Sequence, residues 1–519
     1  MKKLFNKRFL LTATITIFSF NACDVERLDS PPLGLTEDSY FTLKSQYEQV
    51  LYSAYAKMTD WYWFHAQDFS QPMSFLPGDD ITEDNGAFAT WEIFNNLNSS
   101  NGMVRYFFNS TYELLQRTNV VIEKTTNADE SLFEDPSFLD VHRGEALFLR
   151  ALANFKLYNM FGTAPLVIAR LKSETMHQPK SEGTQLLDQA IADLQTAIPL
   201  LPTTWDDARR GRATKNSANG LLLKALVFRG DYTGNTADYN AAIQAYQNIT
   251  ATLTSDYTDN FSAFTENNQE SLFEFQASQV AGGDDNVWLQ NDGPWRGTEV
   301  MTTYWGFYTV ADNQARSNLR GGNWKVTEKM ANAYGADPRV DFFTEPNRNF
   351  TKYAMVGLDQ LANTGVGSLN NVRILRYAES KLLAAEAILL SGGSKADAIK
   401  LINEVRERAR EWALAKGIAD GTVPADRNTS ETNDATIMQW IEDERAIELL
   451  GEEQIRWFDL KRWDARGYKD LSGWGGGDQH FSTDLPGTFQ FEYPKHLLLP
   501  IPQDEVNRNE QIIQNNPGY

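Results

Sequence analysis

Apolar side chains recur at helical spacing through most of the chain. In residues 144–162 they fall on one face of a helix, and Gly162 and Pro165 follow that face as a stop signal. The stripe consists of Ala146, Leu149, Leu152, Ala153 and Leu157. The same spacing predicts a first helix around Leu51 to Met58 and further helices over 186–201, 215–230, 239–249, 376–390 and 396–414. Short Gly or Asp turns join several of them, which predicts a mostly α protein. Its scaffold would be a tetratricopeptide-like helical repeat without the strict period of about 34 residues.

Two regions interrupt the helical pattern, about 60–100 and 255–370. Both are rich in Gly, Asn, Asp and aromatic residues. Long irregular segments inside a globular chain are often functional. The alternating run SLFEFQAS, residues 271–278, predicts a short strand there. The sequence therefore predicts a loop-rich second part with little β-structure in addition to the helical scaffold.

Tryptophan is concentrated in these irregular regions. The chain has 13 Trp, and the seven that fall in them are Trp61, Trp63, Trp91, Trp288, Trp295, Trp305 and Trp324. A sugar ring presents C–H groups that match the electron-rich face of an indole. The alternative is that each indole pins a loop to the scaffold. Trp412, Trp440, Trp457 and Trp463 lie on helical segments, where packing between helices is the favoured interpretation.

Acidic residues accompany these aromatics. Asp79 and Asp80 lie in PGDDITEDNG, residues 77–86, and a second acidic run, GGDDN, covers 282–286. Carboxylates accept hydrogen bonds from sugar hydroxyls. They also bind Ca²⁺, but neither run has the alternating oxygen spacing of a calcium loop. Asp is equally common as a simple turn former, and that alternative stays open.

The first residues resemble an export signal. A basic start precedes the apolar run at 9–20, and Cys23, the only cysteine, follows it. We expect a signal peptide over 1–22, a lipidated tether over 23–35 that begins at Cys23, and one domain over 36–519. The alternative is a leftover thiol inside a signal that is cut elsewhere. The net charge of -21 makes a nucleic-acid partner a poor prediction.

Motifs for catalysis are missing. None of the five His residues pairs with another at metal-ligand spacing, and the chain has neither a phosphate-binding glycine loop nor a nucleophile elbow. We therefore predict no enzyme activity, no cofactor and no metal. Two catalytic carboxylates that are distant in sequence and come together only in the folded protein would form no recognisable motif. In the acidic run at 442–453, Glu444 and Glu448 flank Arg445, which predicts ion pairs with Arg456 or Lys461.

The C-terminal fifth carries the most specific pattern. It contains ERAIELLGEEQIRWFDLKRW, residues 444–463, and LLLPIPQDEVNRNEQIIQNNPGY, residues 497–519. Five segments that precede these two in the chain belong to the same pattern. In chain order they are GEALFLRALANFKLYNMFGTAPL, GRATKNSANGLLLKALVF, DPRVDFF, RYAESKLLAAEA and INEVRERA. Together they resemble the SusD/RagB family of outer-membrane nutrient-binding lipoproteins.

This resemblance implies a lipid-anchored, surface-exposed protein of the outer membrane. Such a protein captures a glycan and passes it to a SusC-like, TonB-dependent barrel. Oligopeptide binding, as in RagB, is the first alternative, and a secreted glycoside hydrolase is the second. The family's binding loops correspond to the irregular regions, so the candidate ligand-binding residues are Trp63, Asp79, Asp80, Trp91, Trp288, Trp295, Arg296, Tyr304, Trp305 and Trp324.

Overall fold

The computed structural model describes most of the chain after the N-terminal segment. The described residues are 37–62, 71–83, 86, 88–262, 264–276, 324–344, 348–350, 352–353, 371–483, 485 and 487–519. The helices are α1 (Glu37–Tyr40), α2 (Lys44–Lys57), α3 (Gln71–Phe75), α4 (Ala89–Glu92), α5 (Gly102–Thr126), α6 (Ser137–Phe161), α7 (Gln185–Leu200), α8 (Lys215–Thr233), α9 (Thr236–Gln247), α10 (Glu328–Tyr334), α11 (Tyr377–Leu390), α12 (Lys395–Lys416), α13 (Asp434–Glu448), α14 (Ile455–Arg466) and α15 (Gln503–Arg508).

Helices that are neighbours in sequence are mostly neighbours in space. α5 packs on α6, α6 on α7, α7 on α8 and α8 on α9, and α11 joins the array through α9, α12 and α13. The predicted mostly α scaffold of stacked helices is thus confirmed. The helix boundaries have local causes: Thr214 caps α8 by accepting a hydrogen bond from the Ser217 N–H, and Gly234 ends it in the left-handed region at φ 71°.

Helix α6 is the central element of the scaffold. Its predicted stripe of five apolar residues is buried, but so are polar side chains on its other faces, among them Arg150, Asn154 and Lys156. The helix is enclosed because α5 and α7 pack on it from different sides. The single stripe read from the sequence was therefore too narrow.

The strands are short and belong to two sheets. They are β1 (Ile81–Glu83), β2 (Ser271–Phe275), β3 (Trp324–Val326), β4 (Phe343–Thr344), β5 (Asn349–Phe350) and β6 (Val372–Arg376). One sheet has the order β1-β3-β5-β4, and the other pairs β2 with β6; each pairing is antiparallel. The predicted strand at 271–278 is confirmed as β2, and its partner comes from the far end of the second irregular region.

A buried network of ion pairs joins the β2–β6 sheet to the C-terminal helices. Glu448 on α13 lies 2.7 Å from Arg376 on β6 and 2.8 Å from Arg339, and it also pairs with Arg408. Glu444 lies 2.7 Å from Arg339. A structural ion-pair network in the acidic run is confirmed, but its predicted partners were wrong.

Those two partners have other roles. Arg456 pairs with Asp79, and the Lys461 ammonium donates to the backbone oxygen of Asn159. Burial lowers the pKa of Lys461 to about 7. The reason for the error is that the side chains paired with Glu444 and Glu448 come from distant segments.

The C-terminal motif closes the end of α6. The Asn516 side-chain amide donates to the backbone oxygens of Phe161 and Leu499, both at 2.7 Å. The Leu499 N–H donates to the Met160 oxygen at 2.7 Å. These bonds satisfy carbonyl groups that a helix end leaves without partners. The turn at Phe161 and Gly162 and the C-terminal QNNPGY, residues 514–519, belong to two separate motifs of the sequence. In the structure they form one unit.

Candidate functional site

Four of the ten predicted ligand-binding residues can be located. These four are Asp79, Asp80, Trp91 and Trp324. The others lie outside the described residues, as does the predicted lipidation site; they are Trp63, Trp288, Trp295, Arg296, Tyr304, Trp305 and Cys23. Their roles stay predictions.

Asp79 is buried in an ion-paired setting. Its Oδ2 lies 2.6 Å from Lys329 Nζ and 3.0 Å from Arg456 Nη2, and its backbone oxygen accepts from the Thr327 hydroxyl at 2.6 Å. Burial by itself raises the pKa of Asp79, but the charges of Arg456 and Lys329 outweigh it and hold the pKa below its ordinary value. The carboxylate that the sequence offered to a ligand is thus engaged within the protein.

Asp80 is also buried, with a different electrostatic setting. Its Oδ2 accepts the Gly451 N–H at 3.1 Å, and its backbone oxygen accepts the Thr327 N–H at 3.0 Å. Burial raises the pKa of Asp80 to about 6, and the charge of Asp79 adds to the shift. Both aspartates therefore hold the acidic segment against the start of α10 and the turn before α14, and neither is displayed at the surface.

The three described loop tryptophans lie in the core, beginning with Trp61, which is 1% exposed and donates from Nε1 to the Thr111 hydroxyl at 2.9 Å. Trp91 is 2% exposed, and its Nε1–H points at the sulfur of Met103 at 3.0 Å. Trp324, on β3, is 4% exposed and meets Phe75 edge to face, with 5.5 Å between ring centroids. Indoles in this position pack a segment onto the scaffold, which is the structural alternative that the sequence had left open. The described geometry does not fit ligand stacking by these three rings.

The helical tryptophans largely follow the prediction. Trp412, Trp457 and Trp463 are buried. Trp440 is only half-buried, packs beside the α11–α13 core, and has the Arg427 guanidinium over its ring at 5.3 Å. It is thus a boundary residue and not a core residue.

The described ends of the aromatic-rich segments converge. Tyr62, directly before 63–70, has its ring 4.8 Å from that of Phe275, which closes β2 just before 277–323. Trp324, directly after 277–323, pairs in register with Glu83, which precedes 84–85. Two of these segments, 63–70 and 277–323, carry predicted ligand-binding residues, and a described flank of each meets the other at the Tyr62–Phe275 contact.

A buried hydrogen-bond chain fixes this area to the C-terminal motif. The Tyr62 hydroxyl donates to Glu453 Oε2 at 2.7 Å, and Lys156 of α6 pairs with the same carboxylate. Gln454, in a left-handed conformation at φ 59°, accepts from Lys156 at 3.0 Å and donates to the Ser74 hydroxyl at 2.9 Å. Burial raises the pKa of Tyr62, and the charge of Glu453 raises it further, so the phenol stays a donor. The sequence analysis missed this support because its members lie far apart in the chain.

Two family models match the sequence. The one described as "SusD family" matches residues 222–519, and the one described as "Starch-binding associating with outer membrane" matches residues 35–225. The chain belongs to the SusD family. The resemblance seen in the C-terminal motifs is confirmed.

Relatives and solved structures agree with this membership. SusD-like protein P2 from Formosa agariphila is 25% identical over 540 aligned residues, which cover 99% of this chain and 100% of that protein. A SusD-like protein from Bacteroides ovatus is 24% identical and covers 98% of this chain and 97% of its own.

Among solved structures, a laminarin-binding SusD-like protein shares 22% identity at a TM-score of 0.69, covering 92% of this chain and 99% of that one. Surface glycan-binding protein A from Bacteroides thetaiotaomicron, in complex with laminarihexaose, shares 19% identity at a TM-score of 0.70, covering 91% and 99%. These structures establish the SusD-like fold of this family member.

No helix among the described residues is long and apolar enough to cross a membrane. Within the same residues, no group of three or more His, Cys, Asp or Glu side chains is arranged to hold a metal ion.

Proposed function

We propose that this SusD family member is a cell-surface glycan-binding lipoprotein. It captures an oligosaccharide or polysaccharide and delivers it to a SusC-like, TonB-dependent outer-membrane barrel. Family membership supports the proposal, as do two relatives of the same fold whose names state laminarin binding and a laminarihexaose complex. The description of the N-terminal family model, which names starch binding and the outer membrane, supports the location.

One observation carries the proposal for the site. The flanks of 63–70, 84–85 and 277–323 meet through the Tyr62–Phe275 ring contact and the Glu83–Trp324 strand pair. The segments that start there contain Trp63, Trp288, Trp295, Tyr304 and Trp305. Segments tethered at neighbouring points on a rigid base can present their aromatic side chains to one ligand. We therefore place the primary saccharide site on these segments.

The protein acts by binding and not by chemistry. Two relatives of the same fold are named as binding proteins, and the sequence shows no catalytic motif. Incubation of the purified protein with each glycan that it binds should release no product. Product that appears with purified protein and disappears after one carboxylate substitution would place it among the glycoside hydrolases.

Attachment to the membrane depends on Cys23. Wild-type protein expressed in a Bacteroidetes host should incorporate labelled palmitate and sediment with membranes, while Cys23→Ala should do neither. Several acyl chains on one residue hold a domain firmly to a bilayer. Equal fractionation of the two proteins would contradict the anchor.

The ligand class is tested by parallel screens of residues 24–519 on a glycan array and an oligopeptide library. The proposal predicts saturable binding to a set of related glycans and none to peptides. Binding confined to peptides would favour the RagB-like alternative.

A further inference from the structure

A polar cleft is lined by residues other than the ten predicted ligand-binding residues. It is bordered by the α7–α8 connection, the segment after α9 and the turn before β2, and all its lining residues belong to the described chain. Its volume is about 820 Å³, within the range of roughly 300–1,000 Å³ typical of ligand sites. Aliphatic side chains in its lining are limited to Ala251 and Leu272; hydroxyls, amides and carboxylates make up most of the rest.

The first wall of the cleft is held in place by a buried ion pair. The Trp205 ring borders the cleft, and its Nε1–H donates to the Ala213 oxygen at 2.9 Å. The Arg212 guanidinium lies 4.2 Å from the centre of that ring and donates from Nε to Glu145 at 2.8 Å. Tyr55 donates to the same carboxylate at 2.7 Å. This wall is preorganised, because each polar group that orients Trp205 is itself held by a neighbour.

The second wall is an amide network at the end of β2. Asn267 and Gln276 exchange two side-chain hydrogen bonds, of 2.8 and 3.0 Å, and Asn371 donates to Gln276 at 3.1 Å. Gly211, at φ 91°, brings the first wall against this network: a Cβ there would lie 2.3 Å from the Gln276 side chain. The two walls thus meet at a glycine that a larger residue can replace only by displacing the Gln276 side chain and straining the backbone at this positive φ.

Two features of the cleft suit a saccharide. Phe264 borders it with 65% of its surface exposed, although an exposed aromatic ring is costly in water, and Trp205 borders it as a second ring. Around them lie donors and acceptors such as Thr204, Asn216 and Gln269. Aromatic faces for C–H groups, combined with amides and hydroxyls for hydroxyl groups, match a sugar. A peptide that binds through apolar side chains would need aliphatic pockets, and the lining offers only Ala251 and Leu272 as aliphatic side chains.

The charge of the lining selects among saccharides. Arg212 is engaged by Glu145, and Arg210 pairs with Asp207, so the two cations of the lining are already balanced. The lining also includes Asp259 and Glu266, whereas the Glu274 carboxylate is buried and pairs with Arg373. Carboxylates accept hydrogen bonds from neutral hydroxyls but repel uronates and sulfates.

We propose that this cleft is a second saccharide-binding site, selective for neutral oligosaccharides. It rests on the proposed function only for the class of ligand, since none of its lining residues is among the ten predicted ligand-binding residues. A second site on the scaffold would let one chain be held at two points, which raises overall affinity without a tighter primary site.

The test uses a readout that belongs to the cleft alone. Protein labelled with 5-fluorotryptophan is titrated with neutral hexaoses of several linkages while ¹⁹F NMR follows the Trp205 resonance, assigned with Trp205→Phe. We expect a saturable shift with at least one hexaose and a weaker response to an oligogalacturonate. Phe264→Ala should weaken this response about tenfold, as for loss of a central aromatic contact. Ile513→Ala, which removes an apolar side chain that is 94% exposed on the C-terminal segment, should leave it unchanged.

Each of the other outcomes contradicts one specific part of the proposal. If calorimetry detects glycan binding while the Trp205 resonance stays fixed, the cleft is not a site, and the proposed function stands. If no glycan binds by either method, the proposed function fails as well. A shift that survives both Phe264→Ala and a blocking Thr204→Trp substitution contradicts the location. An equal or stronger response to the oligogalacturonate, or a response to peptides alone, contradicts the neutral saccharide.

Discussion

Asp79 and Arg456 lie 377 positions apart in the chain and form a buried ion pair, with Arg456 Nη2 3.0 Å from Asp79 Oδ2. The contact joins the acidic segment after α3 to helix α14 of the C-terminal motif. Lys329 at the start of α10 completes it. Asp79, a predicted ligand-binding residue, thus holds three distant segments together.

Asp79→Asn should therefore destabilise the fold. Removing one partner of a buried pair leaves the other charge uncompensated and costs about 3–5 kcal/mol in free energy of unfolding. Because the pKa of Asp79 is held below its ordinary value, this stabilisation is present above the unfolded-state pKa of about 3.9 and is lost as pH falls through the folded-state pKa. Denaturant unfolding at pH 7 and at acid pH checks both points. The exposed Asp420→Asn is the matched control; an equal effect in the two variants would contradict the ion pair's role.

Asp80→Asn should have the opposite effect. The folded-state pKa of Asp80 is raised to about 6 by burial and by Asp79, so the native protein loses stability as pH rises from about 4 to 6 and carries a constant penalty above that range. The neutral amide escapes this penalty. We expect a gain of roughly 1–3 kcal/mol at pH 7 that vanishes near pH 3, measured in the same unfolding experiment. A variant that loses stability at pH 7 would show that the ionised carboxylate is needed.

Trp91 and Trp324, two buried tryptophans that the sequence assigned to ligand binding, should behave as core residues. Trp91→Ala and Trp324→Ala should each cost about 3–5 kcal/mol of unfolding free energy, because they open cavities in a packed interior. Trp440→Ala, at a half-buried position, should cost less. Thermal melts of the three variants separate these cases. Normal melting with weakened glycan binding for Trp91→Ala would restore the ligand role that its sequence context suggested.

Glu448 is the centre of the buried ion network. We expect Glu448→Gln to lower the free energy of unfolding. The matched control is Glu407→Gln, on the exposed face of α12, which should lower it less. Glu448 faces Arg339, Arg376 and Arg408, so loss of its charge leaves three buried cations short of a partner, at a cost of about 3–5 kcal/mol. Burial opposes ionisation, but these three arginines hold the pKa of Glu448 below its ordinary value, so acid unfolding of the wild type should include its protonation. Equal denaturation midpoints for the two variants would contradict this account.

The sequence predicted what depends on local pattern. Helix positions, the β2 strand and the family followed from periodicity and from motifs such as 497–519, because these signals are contained in short stretches of chain. The partners of Asp79, Glu448 and Tyr62 could not be predicted in the same way. Each partner lies in another segment, and a single sequence does not record which segments meet.

The candidate site, like the fold, could be predicted from the sequence only in part. The sequence identified the regions 60–100 and 255–370 by composition, and the structure joins them through the Tyr62–Phe275 ring contact and the Glu83–Trp324 strand pair. The sequence could not tell an indole that packs, such as Trp91, from one that is free to bind, because both occur in Asn-rich and Asp-rich surroundings. The Trp205–Phe264 cleft was missed because Trp205 is isolated in sequence from the aromatic-rich regions.

The central claim is that the aromatic segments bind a glycan. Calorimetric titration of a hexaose selected on the glycan array should show binding to the wild type and a loss of at least tenfold in affinity for the combined Trp288→Ala, Trp295→Ala and Trp305→Ala variant, at an unchanged melting temperature. Tyr468→Ala, an aromatic substitution on the C-terminal side of α14 where the ring is 40% exposed, should bind as the wild type does. Wild-type affinity in the triple variant would contradict the account.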